Sequence, residues 1–274
     1  MLDLIERPVR AARALSALLR NPDDTKQVFT LVEALSSGPD RKFVAKMAST
    51  RSGQRLLEGK PDLFARLGDR EALARLPEGS LGRAYLEFMA TGRLDAGFLV
   101  RASAQGGLAH EGDAEDDYVG RRLRDQHDLW HVVTGYRGDL LGEASVLAFT
   151  FAQTWNVGIG VIVAAAFATT KDPDAHRMFL DAFARGVRAA WLPAVEWEEL
   201  LELPLEEVRA RLRVGPPVVY EPFWSSELPE GGVIGAMKAD GGGAPAPAAQ
   251  AGPAARAGMG RRSVSACAAA SASS

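Results

Sequence analysis

Between Glu143 and Lys171 the chain carries no charged side chain. A run so long and so apolar has to be hidden, in a protein core or in a bilayer, and it constrains the fold more than any other feature. On length alone it would span a membrane. Its content argues otherwise, because Thr150, Gln153, Thr154, Asn156, Gly158 and Gly160 fall inside it and such groups are costly in lipid. The cluster Thr154 to Gly160 (TWNVGIG) reads as a turn, so the expectation is a pair of core helices, with a membrane-facing apolar pocket as a further use of the same residues.

Elsewhere helical periodicity recurs, broken at Asn21-Pro22, Ser37-Gly38-Pro39, Pro77-Glu78-Gly79, the acidic loop Gly112 to Asp117, and Asp172-Pro173. Leu2, Ile5, Val9, Ala12 and Leu19 share one helical face and predict a first helix at the N-terminus, in place of a signal or transit peptide. No alternating β-branched run bounded by hairpin turns occurs. Val214 to Trp224 (VGPPVVYEPFW) is the one place for a strand or an irregular arm, since its prolines forbid a regular helix. The predicted fold class is all-α, helical from Met1 to about Leu212, with a single domain over 1–235. The segment 236–274 is expected to be a disordered tail. From Lys238 onward it has no Leu, Ile, Phe, Trp or Tyr with which to offset its ordering entropy, and its CAAA at Cys267 is not placed as a prenylation signal.

With 32 basic against 35 acidic residues and a formal charge of -3, the chain lacks the electrostatic basis for a nucleic-acid partner. Its single cysteine excludes an intramolecular disulfide and a multi-thiolate metal site and fits a reducing compartment. Any metal must then be held by imidazole and oxygen.

The chemistry-bearing stretch is Arg122 to Phe149. On a helix His127 and His131, at i and i+4, project from one face, and Asp128 lies on its edge, able to ligate or to orient. A straight helix would leave Glu143 about 18 Å further along the axis. The spacing instead predicts a helix end at Gly135 and a new N-cap at Asp139, so that an antiparallel second helix returns Glu143 to His131. His127, Asp128, His131 and Glu143 are therefore the candidate ligands of a divalent metal. Against this stands the plain structural reading, in which two histidines four apart on a helix are no more than packing residues. HDLWH also invites comparison with zinc peptidases and with His-Asp phosphohydrolases. An Asp is short for the peptidase base, and the phosphohydrolases need further ligands, which His110 and His176 are poorly placed to supply. Arg124 precedes Asp128 by one turn and is read as its ion-pair partner or as a contact for a substrate carboxylate. Trp130 and Tyr136 are read as core residues or as walls of a ring-binding pocket.

The order His-Asp, two residues, His, eleven residues, Glu resembles the signature of the Coq-four family of ubiquinone biosynthesis. Leu76 to Met89 (LPEGSLGRAYLEFM) and Trp197 to Leu212 (WEELLELPLEEVRARL, as a closing helix) resemble other segments of that family, so that the likeness covers roughly Asp24 to Leu212. The resemblance implies a helical protein of the coenzyme Q pathway whose motif holds a divalent metal, commonly Zn²⁺, with a redox-active ion left open. It also implies removal of the ring carboxylate from a polyprenylated hydroxybenzoate with hydroxylation at that carbon, making the protein a metal-dependent decarboxylase. The alternative is a non-catalytic prenyl-lipid-binding scaffold that organises the other coenzyme Q biosynthesis proteins. The expected setting is peripheral on a membrane: the matrix side of the mitochondrial inner membrane in a eukaryote, the cytoplasmic face in a bacterium. An apolar pocket mouth favours membrane docking or a homodimer and leaves both open. The acidic loop and the alanine-rich tail look peculiar to this chain.

Overall fold

The computed structural model describes residues 3–36, 39, 41–91, 97–107, 114–233 and 236–237. Among these residues all regular structure is helical, with no strand beyond one isolated bridge between Ser80 and Pro204. Of the expected disordered tail 236–274, Ala236 and Met237 are helical and 238–274 lie outside the described residues, as do His110 and residues 111–113 of the acidic loop.

The chain opens with α1 (Asp3–Arg20) and α2 (Thr25–Ser36), an antiparallel pair turned at Pro22. The helix is where the periodicity put it, but its inward face is not. Ala11, Ala14 and Leu18 are buried, whereas Val9 is exposed, because alanines let α1 approach α2 more closely than larger side chains could. Short helices follow: α3 (Arg41–Ala48), α4 (Arg51–Gly59), α5 (Leu63–Gly68), α6 (Arg70–Ala74), α7 (Leu81–Thr91) and α8 (Gly97–Gln105). Thr50, Asp62 and Asp69 cap α4, α5 and α6 in turn, which is why helices this short persist. Next comes α9 (Glu115–Asp125), whose first turn takes up Glu115, Asp116 and Asp117. Half of the expected acidic loop is thus helical, placed where the helix dipole favours negative charge.

The centre of the domain is α10 (His127–Thr134), α11 (Leu140–Thr154), α12 (Val157–Thr169) and α13 (Pro173–Arg188), with α11 packed chiefly on α13. The uncharged run does form two helices, joined at Trp155 (φ 53°) and capped by Asn156, which accepts from the Ile159 N–H. Only the first is a core helix. In α12 Gly158 and Ile162 alone are fully buried, so the expected core pair is corrected: the second helix packs on α2 and α11, most of its other residues are partly covered, and Val157, Ala164, Phe167 and Ala168 are exposed. No helix among the described residues is long and apolar enough to cross a membrane.

The segment expected as one closing helix is divided into α14 (Trp197–Leu200) and α15 (Leu205–Leu212) by Pro204, which cannot donate to the preceding turn. The break has a use. Leu81 and Gly82 N–H donate to the Leu203 and Leu201 carbonyls, and Leu205 N–H donates to the Gly79 carbonyl, stitching the Leu76–Met89 segment to the closing one. From Val214 to Trp224 the chain is an irregular arm with no ladder.

Candidate metal centre

The His helix begins one residue after α9 ends, at Gln126, whose buried side chain accepts from Trp197 Nε1 at 2.6 Å. Within α10 the histidines stand one turn apart. His131 is buried, and its Nδ1 lies 3.0 Å from the Tyr136 carbonyl. A carbonyl only accepts, so Nδ1 carries the hydrogen when the ring is neutral and Nε2 is left as a free lone pair. Phe88 stacks on the same ring with centroids 5.1 Å apart, fixing its plane.

Gly135 ends α10 at φ 83°, in the left-handed region, and its N–H closes onto the His131 carbonyl. The carbonyls that the helix end leaves unpaired are taken by two buried guanidiniums: Arg209 donates to Val132 and Val133, and Arg185 donates to Thr134. Four residues later Asp139, fully buried, caps α11 by accepting from Leu141 and Gly142 N–H. Glu143 sits in the first turn of α11 and returns to the histidines as the spacing requires.

Three ligand atoms converge. His127 Nε2 and His131 Nε2 are 3.2 Å apart, and Glu143 Oε2 lies 3.6 and 3.4 Å from them. Metal bonds of ~2.0–2.1 Å at tetrahedral angles place neighbouring ligand atoms about 3.3 Å apart, so the edges fit a four-coordinate Zn²⁺-sized ion with three protein ligands. Among the described residues this triad is the one group of His, Cys, Asp or Glu placed to hold a metal.

The electrostatics are those of a coupled carboxylate and imidazole. Burial would raise the Glu143 pKa, but His131 and His127 beside it hold the carboxyl well below the usual carboxylate range. Burial would lower that of His131, yet Glu143, Asp128 and the Tyr136 carbonyl together push it up. Asp128 is raised mainly by burial and further by Glu143, against the pull of both histidines. The Glu143 side chain is 43% accessible, and that accessibility opens into a cavity.

This cavity, about 1060 Å³, runs from His127, Glu143 and Arg124 between α1 and α2 on one side and α11 and α12 on the other. Its walls are mostly apolar, including Leu18, Val32, Leu147, Ile159 and Ile162.

The remaining expected site residues fall in different places. Asp128 is coupled electrostatically to the triad but stands outside the converging atoms. Arg124 lines the cavity and bonds Asp125 Oδ1 at 2.8 Å, so its ion pair is with the neighbour and not with Asp128. Trp130 belongs to the core, edge-on to Phe149, and also reaches the cavity wall. The Tyr136 ring lies in the core beneath the Arg185 guanidinium, and its contribution to the site is its backbone carbonyl. His176 is far from the triad in role: it stacks on Phe167 and bonds that residue's carbonyl. Missed from the sequence were Tyr220 and Phe223 of the arm, which bond Asp139, and Arg185. Their partners lie tens of residues away in the chain, so no local pattern could reveal them.

Comparison with known proteins agrees with this architecture. The family described as Coenzyme Q (ubiquinone) biosynthesis protein Coq4 matches residues 2–218. The chain is 30% identical over 219 residues to the mitochondrial ubiquinone biosynthesis protein COQ4 homolog of Anopheles gambiae, covering 77% of this chain and 74% of that one. It is 30% identical over 221 residues to the mitochondrial ubiquinone biosynthesis protein of the same family from Talaromyces stipitatus, covering 78% and 74%. A crystal structure of a candidate ubiquinone biosynthesis protein from Nostoc punctiforme superposes with a TM-score of 0.56 at 21% identity, over 76% of this chain and 99% of that one, a likeness of fold. With its family match spanning nearly the whole described domain, this chain belongs to the Coq4 family of coenzyme Q biosynthesis proteins.

Proposed function

We propose that the protein is a metal-dependent enzyme of ubiquinone biosynthesis that replaces the ring carboxylate of a polyprenylated hydroxybenzoate with a hydroxyl. The observation that carries this reading is a candidate three-ligand metal triad two of whose members, His127 and Glu143, line an apolar cavity of about 1060 Å³. A cavity of that size and character suits a long hydrocarbon chain, and its polar end suits an aromatic acid.

A bound divalent ion supplies Lewis acidity toward an oxygen of the substrate. His127, His131 and Glu143 would hold it, with the Tyr136 carbonyl keeping His131 in the ligating tautomer. Arg124, bonded to Asp125, lines the same cavity as His127 and Glu143, and its guanidinium favours a carboxylate there. The apolar walls bind the prenyl tail and exclude water from the ring. In the reaction the bond from ring carbon to carboxylate breaks, carbon dioxide leaves, and the carbon gains a hydroxyl. The balance is ArCO₂H + ½ O₂ → ArOH + CO₂, with molecular oxygen as the oxidant, acting on the electron-rich ring or through a redox-active ion or a partner enzyme.

The proposal extends to partners and place. Trp155, Leu180 and Val187 are each more than half exposed and give an apolar surface suited to the face of a bilayer or to a second copy. The relatives are named mitochondrial, which supports a mitochondrial place in a eukaryote, and the place proposed within it is the matrix face of the inner membrane. The corresponding place in a bacterium is the cytoplasmic face, beside the other enzymes of the pathway.

The test is metal content by elemental mass spectrometry on wild type, His131→Ala and Glu143→Ala, with decarboxylation of a prenylated hydroxybenzoate assayed on the same samples. Near-stoichiometric metal lost together with turnover supports the enzyme. Retained prenyl-lipid binding with no turnover in any metal-loaded sample supports the scaffold in its place. A folded wild type that takes up no metal overturns the reading.

A further inference from the structure

The triad depends on two helices meeting at a fixed distance, and the loop from Gly135 to Asp139 that joins them is short and glycine-containing. The arm Val214–Trp224 holds that loop from outside. At the end of the His helix, Arg185 Nε donates to the Val214 carbonyl, and its Nη2 donates to Pro216 and to Thr134 in α10, at 2.8–3.1 Å. Pro217 lies against Gly135 so closely that a Cβ there would meet Pro217 Cβ at 2.7 Å.

At the start of the Glu helix the contacts are denser. The Tyr220 hydroxyl donates to Asp139 Oδ2 at 2.5 Å and accepts from Arg137 N–H at 2.8 Å, bridging the two sides of the loop. Phe223 N–H donates to Asp139 Oδ1 at 3.0 Å, while the Phe223 carbonyl accepts from Leu140 N–H at 2.9 Å. Gly142 has no room for a side chain because the Arg137 carbonyl and the Tyr220 hydroxyl fill the space. Glu143 follows at once, its N–H bonded to the Asp139 carbonyl at 2.8 Å. The orientation of Glu143 is therefore set by an N-cap whose second carboxylate oxygen is held by the arm.

We propose that Tyr220 is a positioning residue of the metal centre, acting through Asp139 to hold Glu143 against His127 and His131. The proposal rests on the metal reading given above. The arm continues into the cavity wall at Phe223 and Trp224, so the group that aims Glu143 is connected to the surface that a bound tail touches. Tyr220 touches neither metal nor substrate in this scheme. Its loss leaves all three ligands present and one of them poorly aimed.

The experiment is a Zn²⁺ titration by chelator competition on the full chain, comparing wild type, Tyr220→Phe and Leu56→Ala. Leu56 is buried in a separate cluster with Met47, Tyr118 and Val119 and serves as the control for general destabilisation. Visible d–d bands of Co²⁺ bound to each protein report the ligand field directly. We expect Tyr220→Phe to bind Zn²⁺ about 10–100-fold more weakly and to alter the Co²⁺ spectrum. Leu56→Ala, melting at least as low, should keep both wild-type affinity and spectrum. Unchanged affinity and spectrum in Tyr220→Phe, or an equal loss in Leu56→Ala, overturns the positioning role while leaving the metal centre standing. A wild type that binds neither ion overturns both.

Discussion

Helices α11 and α12 are the two halves of one uncharged run, yet they end in different surroundings. In α11 Gly142, Ser145, Val146, Ala148, Phe149, Ala152 and Gln153 are buried, and the helix lies between α10, α12 and α13. Its few polar side chains are satisfied inside: Gln153 donates to the Gly186 carbonyl and accepts from Leu192 N–H, and Ser145 donates to the Leu141 carbonyl. In α12 two residues are buried, one side lines the cavity, and Val157 stands 58% exposed. Apolar composition thus marks a helix that must avoid water when it can, and the number of neighbours decides whether the answer is a core or a binding wall. The first helix stabilises the fold and presents Glu143 to the two histidines; the second furnishes a wall of the cavity.

The largest expected effect lies in α11. Phe149→Ala should cost about 3–5 kcal/mol in urea unfolding, because its ring is fully buried against Trp130. At the ligand end of the same helix the site should respond to pH. The raised pKa of His131 stabilises the metal-free fold below 6.5, and this contribution is lost as pH rises through the folded value. The lowered pKa of Glu143 contributes above 4.5 and is lost as pH falls through its folded value. Metal-free protein should therefore draw most from this pair between those two values and melt lower at pH 8 than at pH 6. Metal has to displace the His131 proton, so Zn²⁺ affinity should improve about tenfold per pH unit below the His131 value and level off above it. Isothermal titration in two buffers of different ionisation enthalpy counts the proton; release of none would separate His131 from the metal.

At the junction of the two helices, Asn156→Ala removes the acceptor for Ile159 N–H and for the Ser36 hydroxyl and should cost about 1 kcal/mol by thermal melting. The smallest effect belongs to α12. Val157→Ser should alter stability by less than about 0.5 kcal/mol while weakening sedimentation with anionic vesicles. A loss near that of Phe149→Ala would erase the distinction between the helices.

Much of the site was legible before the structure. Gly135 and Asp139 announce their backbone roles by residue type alone, left-handed cap and N-cap, and once those are placed the return of Glu143 to His131 is a matter of helix geometry. The break within Thr154 to Gly160 was legible as a turn-forming cluster, although its cap, Asn156, was not singled out. What could not be read was which face of an apolar helix turns inward. Alanines at 11 and 14 won the interface in α1 over Val9, and α12 was left half covered.

Local chemistry therefore determined the helical class, the places where helices stop, and the short list of candidate ligands, because caps, prolines and i,i+4 spacing act over a few residues. Only the tertiary structure decided that Asp128 stays outside the triad, that Arg124 pairs with Asp125, and that Tyr220 reaches Asp139. It also decided that α12 borders a cavity. Each of these turns on groups brought together across long stretches of chain, and which of them meet is settled when the whole set of helices packs at once.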